Sequence, residues 1–388
     1  MNRNRTVLAQ MQQLISRFHF EKLVKENKSD KNVRTFTTWN LLQVMLYAQI
    51  GQKKSLRDIC MSLQSNVSSW YHLGLESISR NNLSNSLMNR PAIVFEKTFY
   101  MLHAQLHETK KGATDKRFKF KNPLYAIDST TISLCLSLYD WASFRSTKAG
   151  IKIHTSYDVK KKMPEFMVVT EAKQSDHSGI KSIPVLKGAI YVLDRGYLCL
   201  KTLANISENR AFFVTRTKTN TQYVIMEQNE VAGNGIIEDC LISFSGAKSS
   251  DYSDPLRLVR FVSHEDNKVY DYITNNFKLS ASTIANIYKA RWDIELFFKW
   301  IKQNLKIKTF IGTSENAVLI QIWVAAIAYL LTEYLRFISK TSFSRMEIFR
   351  IISVNIFSSK NIIELFENKI RRLKKKMRLS DVQLDLGF

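Results

Sequence analysis

Near residue 122 the hydrophobic pattern changes from helix spacing to strand spacing, so the chain must build two kinds of structure. Upstream, Thr37-Thr38 precedes Leu41, Leu42, Val44, Met45, Leu46 and Ala48, and Gly51 offers a stop. Ser55-Leu56-Arg57-Asp58 matches a capping pattern ahead of Ile59 and Leu63. A third short helix is expected over Ser79–Leu87, with Leu83 and Leu87 inward and Arg80, Asn81, Ser84 and Asn85 outward. Those outer side chains are of the kinds that reach base edges. Residues 1–90 therefore read as a helix-turn-helix-like DNA-binding domain, or as an ordinary helical bundle. Pro91 opens a helical linker, 91–121, that ends in Lys116-Arg117-Phe118-Lys119-Phe120-Lys121. This basic run is either a grip on phosphates or a solvated connection.

Downstream, Leu124–Leu134, Ile151–Val159 and Glu165–Thr170 are β-rich, with Lys160–Pro164 as the turn between the last two. Ala189–Leu193 is a short, buried type of strand that ends on Asp194. A helix from about Leu198 to Glu208 and a strand over Ala211–Thr215 follow. Strands that give way to strand–helix alternation predict an α/β fold, a mixed sheet flanked by helices, over 122–310. Short alternating pieces make 217–275 a β-rich insertion within it, and 311–388 is a C-terminal helical region. The apolar run Ala317–Leu331 is short for a bilayer and contains Gln321, so it reads as a core helix, with no membrane implied. The last stretch, Lys369–Arg378, is strongly basic.

Lys and Arg number 57 against 34 Asp and Glu, a net charge of +23 spread along the chain. Such a surface favours polyanions, nucleic acid first. No signal-peptide pattern follows Met1-Asn2-Arg3-Asn4-Arg5. Cys60, Cys135, Cys199 and Cys240 lie far apart, as reduced thiols do, and His103 and His107 lack the Glu of a zinc-protease motif.

Three carboxylates stand out. Asp128 sits mid-strand among apolar and hydroxyl residues, where a charge needs a partner or a metal. Asp194 ends a strand before Arg195-Gly196-Tyr197, a position that also suits a helix cap. Glu295 lies in Tyr288–Lys306, which reads as one amphipathic helix. There Tyr288, Arg291, Glu295 and Lys302 share an arc of about 60°, and Lys299 extends it. The opposite side carries Ala290, Ile294, Phe297, Phe298, Ile301 and Leu305. An acid among cations suits a hard metal ion beside phosphates; a solvated face with a Glu295–Lys299 ion pair suits the same spacing.

These motifs, Y-A-I-D at Asp128, Y-V-L-D-R-G-Y at Asp194 and Y-x2-R-x3-E-x6-K from Tyr288 to Lys302, together resemble the DDE transposases of bacterial insertion sequences, in the branch with that last signature. The T-x-W, S-L-R-D-I, Y-H-L-G-L and N-L-S pieces resemble the same family's DNA-binding leader. The resemblance implies a ribonuclease H-like core in which Asp128, Asp194 and Glu295 bind two Mg²⁺ ions, with Mn²⁺ able to substitute. It implies nicking at element ends and attack of the freed 3′-hydroxyl on target DNA, without a covalent enzyme intermediate. Tyr288, Arg291 and Lys302 match residues used on end phosphates; Lys299, Arg195, Arg80 and Asn81 are further DNA-contact candidates, and His177 also falls near a motif position. Some relatives stack a flipped base on an insertion Trp. Between Trp141 and Trp292 this chain has none, which leaves Tyr223, Tyr252 or Tyr270 as replacements.

The expected partners are double-stranded DNA, at element ends and target, and a second copy as a homodimer in the DNA complex. The expected location is the bacterial cytoplasm, at the nucleoid. A domesticated DNA-binding protein without transposition is the alternative, against which an intact acidic triad counts. A nuclease that cleaves without joining is a third reading, opposed by the leader and the insertion.

Overall fold

A computed structural model describes residues 5–70, 73–75, 78–112, 115–145, 148–231, 233, 235–304 and 310–367. Leu305, Lys306, the basic stretch 369–378, Tyr71 and His72 of Y-H-L-G-L, and the His177 side chain lie outside the described residues. The chain forms two compact units, residues 1–111 with 300–388, and residues 112–299.

The first unit begins with α1 (Val7–Gln12), α2 (Arg17–Glu26), α3 (Thr38–Ile50), α4 (Leu56–Gln64), α5 (Arg80–Asn89) and α6 (Ala92–Thr109). Local chemistry sets their ends. Thr37 and Asn40 form a capping box before α3 and Gly51 follows it; Ser55 and Ser79 accept backbone N–H bonds ahead of α4 and α5. Among the described residues, five α-helices thus precede Pro91, where sequence spacing indicates three. Every residue of α3 is buried, so this helix lacks the polar stripe that would have marked a surface position.

The second unit contains β1 (Leu124–Leu134), β2 (Ser143–Arg145), β3 (Lys148–Asp158), β4 (Met163–Glu171), α7 (Asp176–Lys181), β5 (Ile190–Leu193), α8 (Leu200–Glu208) and β6 (Phe212–Arg216). It continues with β7 (Tyr223–Gln228), β8 (Ile236–Phe244), β9 (Leu256–Ser263), β10 (Lys268–Thr274), α9 (Ala281–Lys289) and α10 (Trp292–Asn304), the last turn of which passes into the first unit. The strands share one sheet in the order β2-β3-β1-β5-β6-β10-β9-β8-β7, with β4 also on β3. Strands β4, β3 and β1 run antiparallel, and β1, β5 and β6 run parallel, which is the ribonuclease H-like arrangement.

The insertion does not stand apart. Strand β10 pairs with β6 through Tyr272↔Arg216 and Thr274↔Val214, and β9, β8 and β7 extend the same sheet. Pairing satisfies the edge of β6, which would otherwise expose a row of backbone groups. Cys240, Ile242, Leu256, Leu258 and Tyr252 from the insertion share one core with Tyr191, Leu193, Leu203, Ile206 and Phe213. The buried Arg257–Asp239 pair at 2.6 Å ties β9 to β8.

The chain returns to the helical unit through α11 (Glu315–Ile338) and α12 (Arg345–Val354). Helix α11 is long and apolar enough to cross a membrane, and most of it is buried inside this unit. Gln321 is satisfied there, donating to the Ala317 carbonyl at 2.8 Å and accepting from the Ile311 N–H at 2.7 Å.

Candidate active site

Parallel pairing brings the first two acids together. Leu124↔Ile190 through Ile127↔Leu193 align β1 with β5, so Asp128 and Asp194 are the next residues on each strand. Asp128 is mostly buried and accepts a bond from the Ser129 N–H at 2.8 Å. Asp194 accepts from the Gly196 N–H at 3.1 Å, capping the short turn Arg195–Tyr197. It is therefore both a cap and a member of the acidic group. Glu295 comes from the first turn of α10, the positive end of the helix dipole, which favours a carboxylate.

All three acids face one side chain, Arg291. Its Nη1 lies 3.6 Å from Asp128 Oδ2 and its Nε 4.0 Å from Asp194 Oδ1, while Nη2 donates to Glu295 Oε1. Among the described residues, no group of three acidic, His or Cys side chains stands close enough to hold a metal ion. The oxygen donors are nevertheless those that a hard divalent cation takes. The Arg291 guanidinium lies among them. Burial pushes the Asp128 carboxyl up to about 6, with Asp194 and Glu295 adding to the rise against the Ser129 N–H and Arg291. An acid so placed favours an added positive charge.

The helix expected over Tyr288–Lys306 is broken at this point. The Arg291 N–H bonds the Tyr288 carbonyl, the Asp293 N–H that of Ala290, and the Ile294 N–H that of Arg291, each a tight three-residue step. Such steps turn about 120° per residue instead of 100°, so the angular argument fails across them. Tyr288 consequently leaves the cationic face. It is buried, stacks on Tyr272 at 4.7 Å between centroids, and burial raises its hydroxyl to about 12. Glu295 turns back to Arg291, four residues earlier, and Lys299 is exposed on α10. Lys302, also exposed, belongs to the helical unit with Arg80 and Asn81 of α5, which are exposed as well. Arg195 is exposed beside Asp194.

In the basic run, read as a phosphate grip or a solvated connection, Arg117 is ion-paired. It bridges Asp115 at 2.7 Å and Asp293 at 2.6 Å, tying the approach to β1 to the first turn of α10. Of the tyrosines considered for the absent Trp, Tyr252 is spent on the core, its hydroxyl 3.0 Å from Ser207. Tyr223 packs partly against that core, and Tyr270 is half-exposed with the Arg216 guanidinium 4.4 Å above its ring. The central place of Arg291 was not foreseen, although its spacing to Glu295 is a visible signal.

A ribonuclease H-like sheet whose strand ends and following helix gather three acids defines a class of enzymes that cut or join nucleic acid. A family model for the transposase DDE domain matches residues 119–331, and one described as a domain of unknown function matches residues 3–76. A protein of Sinorhizobium fredii named as a transposase is 35% identical over 64% of this chain and 69% of its own length. One from Geobacillus stearothermophilus, named as the transposase for insertion sequence element IS5377, is 27% identical over 86% of both chains. Among solved structures, a piggyBac transposase synaptic complex with hairpin DNA is similar at a TM-score of 0.46 and 12% identity, covering 97% of this chain and 85% of that one. The chain belongs to the DDE transposase family of insertion sequences.

Proposed function

We propose that this protein binds the ends of its own insertion sequence, hydrolyses phosphodiester bonds there, and joins the resulting 3′-hydroxyls to target DNA. The observation that carries the reading is the placement of Asp128, Asp194 and Glu295 around a single cationic group. Asp128, Asp194 and Glu295 would hold the Mg²⁺ ions (Mn²⁺ substituting), and two such ions supply a polarised nucleophile and charge neutralisation for in-line displacement at phosphorus. In cleavage, water oxygen bonds to phosphorus as the bond to the 3′-oxygen breaks, and that oxygen takes up a proton. In joining, the freed 3′-hydroxyl gives up its proton as its oxygen bonds to a target phosphorus, the bond from that phosphorus to the target strand's own 3′-oxygen breaks, and that oxygen takes up a proton.

The side chains divide the remaining work. Lys299 and Arg195 in the sheet unit are exposed cations that would meet backbone phosphates. Lys302 and Arg80 do the same from the helical unit, where Asn81 offers a base-edge contact. Tyr288 is buried and acts through the packing under Arg291. Concerted joining of two ends calls for a homodimer on DNA, in the bacterial cytoplasm at the nucleoid.

The test is Glu295→Gln, with end binding followed by gel shift and strand cleavage by labelled substrate. Binding should persist while cleavage falls by roughly a hundredfold or more. Near-normal cleavage would reject the assignment, and a wild-type protein that binds ends but cuts nothing would identify a domesticated binder.

A further inference from the structure

The proposed site contains its own cation. We propose that Arg291 occupies the divalent-ion position in the metal-free protein, so that metal loading and the Arg291–carboxylate contacts exclude each other. This inference rests on reading Asp128, Asp194 and Glu295 as metal ligands.

The geometry is specific. Three different nitrogens of one guanidinium address three carboxylates from β1, the end of β5 and α10. The Arg291 side chain is only 16% exposed, so these contacts are not those of a surface residue sampling its neighbours. Its backbone is pinned in the tight turn between α9 and α10 by the Arg291 N–H to Tyr288 carbonyl bond at 3.0 Å. Without a cation, three carboxylates in this space repel one another. Arg291 removes that repulsion and holds the acids in place before any ion arrives. A planar guanidinium, however, keeps carboxylates farther apart than an ion that demands oxygens at about 2.0–2.1 Å. The acids cannot close on such an ion while the guanidinium stands between them. Arg291 must swing out, and its released charge then serves a phosphate at the site, coupling metal loading to DNA engagement. Arg291 is in this sense a positioning residue for the apo site and a competitor of the metal.

The test measures Mn²⁺ binding to the full-length, DNA-free protein by calorimetry, beside thermal midpoints with and without Mn²⁺. The variants are Arg291→Gln, Arg291→Lys and Asp128→Asn. Removing the competing charge in Arg291→Gln should tighten Mn²⁺ binding by about tenfold or more, a gain of about 1.4 kcal/mol. It should also lower the metal-free midpoint and enlarge the rise that Mn²⁺ produces. Arg291→Lys keeps the charge without the fork, so its affinity should fall between the two; it carries the test if the Gln variant folds poorly. If Asp128→Asn abolishes Mn²⁺ binding but neither Arg291 variant binds more tightly than wild type, the competition is overturned and the metal site stands. If Asp128→Asn binds Mn²⁺ as wild type does, the metal-site reading and this inference fall together.

Discussion

Two neighbouring residues show how little room the sheet unit leaves. Gly179 of α7 packs on His154 of β3, and a Cβ at that position would lie 2.1 Å from the His154 ring. His154 is 1% exposed, with its Nε2 held 3.2 Å from the Thr170 hydroxyl, so the ring cannot retreat cheaply. Gly179→Ala should therefore destabilise the protein by about 1–3 kcal/mol despite the better helix propensity of Ala. Thermal unfolding followed by circular dichroism measures this; an unchanged midpoint would mean that α7 stands off from β3. At the acidic site, by contrast, one arginine faces three acids. Asp128, Asp194 and Glu295 were all legible as candidates from their motifs. Their common dependence on Arg291 was not, because its contacts to Asp128 and Asp194 are long-range and leave no mark on residue spacing; only the i,i+4 step to Glu295 does.

At the level of elements, α6, α11 and α12 meet around a carboxylate that is fully buried. Glu333 Oε1 accepts from Lys110 at 2.8 Å and Arg336 at 2.8 Å, and its Oε2 takes Arg345 at 2.9 Å. Burial alone would raise this carboxyl, but Arg345, Lys110 and Arg336 outweigh it and hold it down at about 2. A depressed carboxylate stabilises the fold above its unfolded value of 4.5, and that contribution is lost as pH falls from there through about 2. Acid titration of thermal stability should show this loss, and a Glu333→Gln variant should lack that component. The same variant strands three buried or half-buried cations and should cost about 3–5 kcal/mol at neutral pH. A cost below about 1 kcal/mol, by denaturant unfolding, would reduce the cluster to a surface-type ion pair. The helices themselves were readable because Thr37, Ser55, Ser79 and Pro91 mark their starts locally. The break between α9 and α10 was not readable, since Ala290 and Arg291 carry no helix-breaking side chain.

On the scale of the molecule, charge matters most. A net +23 distributed through both units predicts DNA binding dominated by phosphate neutralisation. If six or more phosphates are engaged, affinity should fall about a thousandfold or more between roughly 50 and 200 mM salt. Arg80→Ala should lessen that salt slope and weaken end and non-specific DNA alike, whereas Asn81→Ala should act more on end sequence than on slope. Filter binding across a salt series separates the two. A flat salt response would overturn the account of the basic surface.

By itself the sequence determined the switch from helices to strands, the caps of the principal helices, the excess of positive charge and the three acidic motifs. These are local quantities, set by hydrophobic period, by side chains beside backbone groups and by residue type. Only the tertiary structure decided that the insertion lengthens the sheet through β6, that Tyr288 is buried and that Arg117 bridges two acids. It alone put Arg291 among Asp128, Asp194 and Glu295. Each of these depends on which distant strand or turn supplies the neighbouring charge or backbone edge, and pairing between remote segments is chosen by packing of the whole unit.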